Sequence, residues 1–79
     1  MSACGIAQEA AKTFIYETRL AMRFARAFAE DVLEQMLDEG EALLAEIYRA
    51  CPVAAGVPDH SVLAADLRAL LADVGAMRR

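Results

Sequence analysis

Tryptophan is absent, and 79 residues hold only two prolines, four glycines, two cysteines and one histidine. So little Pro and Gly excludes a turn-rich β architecture and a low-complexity linker. With two cysteines, Cys4 and Cys51, there is no disulfide framework; without a Cys-x-x-Cys pair, and with His60 alone, there is no ligand set for a structural metal. Gly5, Gly40, Gly56 and Gly75 are scattered and form no phosphate-cradling loop. Long apolar runs are missing too. Lys12, Arg19, Arg23 and Arg26 interrupt the first third, so no stretch reaches the roughly 18 residues of a membrane span. The amino terminus lacks the basic, apolar and cleavage regions of a signal peptide, which predicts a cytoplasmic protein with both thiols reduced.

What is abundant is alanine and leucine, in a composition that is 58% hydrophobic with a mean hydropathy of +0.31. That is too apolar for a disordered tail, and the residue types favour helix. A core of this size nets only about 3 to 5 kcal/mol. Stabilisation by a second copy or a partner is therefore expected.

Helical periodicity runs from Ile6 to Cys51, where Pro52 ends it. Ala11, Phe14, Thr18, Ala21, Ala25, Phe28 and Val32 recur at spacings of three and four, the period of a helix packed lengthwise on another. After Val32, Met36 and Gly40 the period continues through Leu43, Ile47 and Ala50. This stutter predicts a bend or break near residues 36–40. Residues 52–60, with both prolines, read as a loop, and residues 61–77 as a second helix capped by Asp59 or Ser61. Its stripe is Val62, Leu63, Leu67, Leu70, Leu71, Val74 and Met77. The expected architecture is one all-α domain: a flexible terminus over 1–5, a long helix over 6–51 and a shorter helix folding back as a helical hairpin or bundle, completed by dimerisation, with folding at Gly40 into a three-helix monomer as the rival.

Net charge is −4. Residues 1–26 carry Lys12, Arg19, Arg23 and Arg26 against Glu9 and Glu17, whereas residues 27–49 carry seven acids against Arg49. An acidic balance disfavours direct binding of nucleic acid, which rests on a basic face. In an antiparallel dimer crossing near Phe28, Arg23 would approach Glu34 of the partner and Arg19 would approach Asp38. The apolar perimeter of the 6–51 helix is wider than the second helix can cover, and such surfaces mark contacts between chains.

Candidate chemistry is sparse. Asp59, His60 and Ser61 are adjacent in sequence, which is not the geometry of a catalytic triad. Glu30, Glu34 and Glu41 lack the Glu-x-x-His partners of a di-metal bundle. With Cys4 and Cys51 more than about 60 Å apart along an unbroken helix, no internal disulfide is expected and both read as inert thiols. The expectation is a non-catalytic protein-interaction module, an adaptor or regulator, with no cofactor, metal or small-molecule substrate and no membrane partner. Its predicted interface is Phe14, Ala21, Ala25, Phe28, Val32 and Met36. One alternative is an acidic inhibitor that presents Glu30, Glu34, Asp38 and Glu41 to a basic groove of a nucleic-acid-handling complex. The other is a cysteine-based redox or metal-responsive switch.

Overall fold

The computed structural model describes residues 2–25, 27–51 and 59–78, with residues 59–61 described in backbone alone. Three helices pack around one core: α1 (Ala3–Phe24), α2 (Glu30–Ala50) and α3 (Asp59–Ala76). Ser2 caps α1, its Oγ accepting from the amide of Gly5 at 3.0 Å. Residues 3–5, expected to be a flexible terminus, are therefore the first turn of a helix. The capping side chains predicted for α3, Asp59 and Ser61, lie outside the described residues, as does the loop over 52–58.

The long helix expected over 6–51, with a bend or break near residues 36–40, is instead two helices, and the break falls between Phe24 and Glu30. Between them the backbone is extended at Ala25 (φ −106°, ψ 137°) and Ala29 (φ −62°, ψ 149°). Gly40, where a bend or break was expected, lies inside α2. An unbroken 46-residue helix would be about 70 Å long, but the longest dimension of the molecule is 40 Å. The physical reason is burial. Fold-back brings Ala7, Ala11, Phe14 and Ile15 of α1 against Leu33 and Ile47 of α2, and α3 adds Leu67, Leu70 and Val74. No side chain of Ala25 or Ala29 stops a helix. The termini are instead matched to the helix dipoles, with Arg23 in the last turn of α1 and Glu30 and Asp31 in the first turn of α2.

The link 25–29 joins α1 to α2 at one end, and a disulfide between Cys4 and Cys51 joins them at the other. This overturns the expectation of two inert thiols far apart: that separation assumed a continuous helix. The two helices thus run antiparallel. α3 runs antiparallel to α2, since Arg78 near its end lies 3.8 Å from Glu30 at the start of α2, and Arg68 hydrogen-bonds the hydroxyl of Tyr48.

Gly40 is where the three helices meet. A Cβ there would fall on Leu71 Cδ2 of α3 and lie 3.2 Å from both Leu71 Cγ and Phe14 Cε2 of α1. Replacing Gly40 by Leu improves helix propensity by less than about 1 kcal/mol, whereas overpacking a tight core costs about 1–3 kcal/mol. Gly40→Leu is expected to destabilise the chain by about 1–2 kcal/mol, read as a lowered urea midpoint at unchanged slope.

Candidate functional site

Folding α1 inward along Ala7, Ala11, Phe14, Thr18 and Met22 turns the opposite side of the helix to solvent. On that side Tyr16, Leu20 and Phe24 follow at intervals of four, which stacks them along one strip. They are 67%, 40% and 79% exposed. Beside the strip run Lys12, Arg19 and Arg23, and across from these lie Leu63 and Asp66 of α3.

Between α1 and α3 all of these side chains except Phe24 line a groove of about 530 Å³, with buried Ile15 at its base and Tyr16, Leu20 and Leu63 as its apolar walls. Its rim is basic. Arg19 donates both terminal nitrogens to Asp66, at 2.5 Å and 3.4 Å, and so ties α1 to α3. Lys12 lies 3.9 Å from Glu9 in an exposed i, i+3 pair, while among the described residues Arg23 pairs with no carboxylate. Lys12 and Arg23 stand about 16 Å apart along the helix axis. On α3, Val62 is 68% exposed, next in sequence to Leu63.

The residues predicted as an interface fall elsewhere. Phe14 is buried, Ala21, Ala25, Phe28 and Met36 are half-buried, and Val32 is exposed. The fold brings three of them together: Phe14, Ala21 and Met36 line a smaller groove between α1 and α2, about 300 Å³, edged by Glu17 and Glu39. Phe14 and Met36 also belong to the core or pack against it, so this groove has an apolar base and an acidic edge. The predicted acidic face is exposed throughout: Glu34, Asp38 and Glu41 stand on the outer side of α2, and Glu30 lies at its start beside Arg78.

Tyr16, Leu20 and Phe24 are not among the residues predicted as an interface. Their regular spacing next to three cations was the available signal, obscured by treating residues 6–51 as one helix with one face.

Among the described residues no cluster of three or more His, Cys, Asp or Glu side chains is placed to hold a metal ion. No helix among them is long and apolar enough to cross a membrane. Comparison with known proteins finds no matching family model, no matching curated protein and no matching solved structure. The functional reading therefore rests on the geometry of this chain.

The Arg19–Asp66 pair is about half-exposed, with side chains 53% and 40% accessible. Solvent screening limits such pairs to about 0–1 kcal/mol. Asp66→Ala should accordingly cost no more than about 1 kcal/mol, measured as thermal stability, with the helix content unchanged.

Proposed function

We propose that the protein is a small non-catalytic interaction module whose α1–α3 groove receives an amphipathic helix of a protein partner, one bearing acidic residues beside its apolar stripe. The supporting observation is the conjunction in one groove of apolar walls, Tyr16, Leu20 and Leu63, with a rim of three cations and one acid, Lys12, Arg19, Arg23 and Asp66. Helix-in-groove recognition uses a few apolar anchors at i, i+3 or i+4, and i+7, which the walls accommodate. Carboxylates about three turns apart on the incoming helix would meet Lys12 and Arg23. The acidic outer side of α2 repels the same helix, so charge selects the face while apolar burial supplies affinity.

A second copy of this chain, the dimer expected from the sequence, is the competing occupant. The acidic-inhibitor reading draws on a separate observation, the exposure of Glu34, Asp38 and Glu41 on α2, and predicts binding lost when those acids are neutralised.

The test is titration of the chain with two synthetic helical peptides of the same leucine stripe, one flanked by Glu and the other by Lys. The Glu peptide should bind, with an affinity that falls as salt rises, and Leu20→Glu or Arg23→Glu should weaken it tenfold or more. Equal binding of both peptides, or binding insensitive to both substitutions, overturns the proposal. So does a native mass showing a dimer that Leu20→Glu splits, since a second copy would then fill the groove.

A further inference from the structure

We infer that the Cys4–Cys51 disulfide is a redox latch on the fold, so that a dithiol reductant strips the three-helix form of much of its stability. This inference stands whether or not the groove binds a helix. Three observations carry it. The bond joins residues 47 apart in sequence, spanning nearly all of α1 and α2. It sits at the end of the helix pair opposite the link 25–29, where no other covalent connection holds α1 to α2 and where Cys51 is the C-terminal cap of α2. The two cysteines also differ in access: Cys51 is 3% exposed and belongs to the core cluster, whereas Cys4 is half-buried in the first turn of α1.

The chemistry follows from that difference. A thiolate of the dithiol attacks Sγ of the more exposed residue, Cys4, forming a mixed disulfide and expelling Cys51 as a thiolate that takes up a proton. The second thiol of the reductant then attacks its own sulfur in the mixed disulfide and releases Cys4. Two electrons pass from the dithiol, which leaves as a disulfide, to the pair of cysteines. The amide of Gln8, one turn beyond Cys4, donates to Cys4 Sγ at 3.0 Å and lies 3.9 Å from Cys51 Sγ, so a hydrogen-bond donor already faces both sulfurs.

Opening the bond restores the loop entropy of the denatured chain. For a loop of this length that amounts to about a thousandfold in the folding equilibrium. In a chain of this size the corresponding fall in Tm is roughly 15–30 °C. Since disulfides persist where thiols are not held reduced, the latch couples the presence of the fold to the redox state of its surroundings.

The experiment is a thermal melt of the oxidised 79-residue chain by circular dichroism, with and without dithiothreitol, alongside the variant Cys4→Ser/Cys51→Ser. Expected is a fall of Tm in that range on reduction, recovery on reoxidation, and a variant that melts like the reduced wild type and ignores the reductant. A variant with no folded baseline at all also supports the latch, provided the oxidised wild type melts cooperatively. Reduced and oxidised wild type melting within a few degrees of each other overturns it, as does a shift by dithiothreitol of equal size in the variant.

Discussion

The stretch from Ile6 to Cys51 carries more apolar perimeter than one short helix can cover, and the rest of the structure answers that constraint. The chain covers the surface with itself by leaving helical geometry between Phe24 and Glu30. Once α2 lies back on α1, α3 closes the remaining side, and Ile47, Leu67, Leu70 and Val74 become almost wholly inaccessible. The close approach at Gly40 follows from three helices converging on one point. What stays exposed is the strip of α1 along Tyr16, Leu20 and Phe24, and the candidate groove lies where that strip meets α3.

The disulfide belongs to the same solution. A core of this size leaves about 3–5 kcal/mol of net stability, and closing a loop of this length contributes about 4 kcal/mol on the chain-entropy account. The two quantities are comparable, so one covalent bond weighs as much as the balance of all packing against chain entropy. Fold-back at 25–29 and closure at Cys4–Cys51 are two ends of one antiparallel pair. The first makes the second geometrically possible.

The all-α class was legible from alanine, leucine and the scarcity of Pro and Gly. The third helix was nearly so: Pro52 and Pro58 bracket a stretch without periodicity, and of the predicted stripe all but Val62 are buried or half-buried. The break after Phe24 was not read because Ala25, Ala27 and Ala29 are strong helix formers, and tertiary burial overrode their propensity. Two traces of it were nevertheless present. Charge switches sign between Arg23 and Glu30, which suits a helix end followed by a helix start; it was read instead as a device for aligning two chains. The stutter assigned to residues 36–40 is the phase change that an interruption upstream produces, since the inward positions of α2 run through Leu33, Leu37, Gly40, Leu44 and Ile47. Cys4 and Cys51 could not be paired while the helix between them was taken as continuous. The interface residues were drawn from the same continuous face, so Phe14 was sought on the outside.

Everything depends on α1 and α2 lying side by side. Spin labels at Glu9 and Glu46 measure this directly by electron double resonance. Packed helices are separated by about 8–10 Å between axes, which with the label arms gives a distance of about 20 Å. A continuous helix would hold the same sites about 55 Å apart, and a distribution centred there would contradict the fold-back and everything built on it.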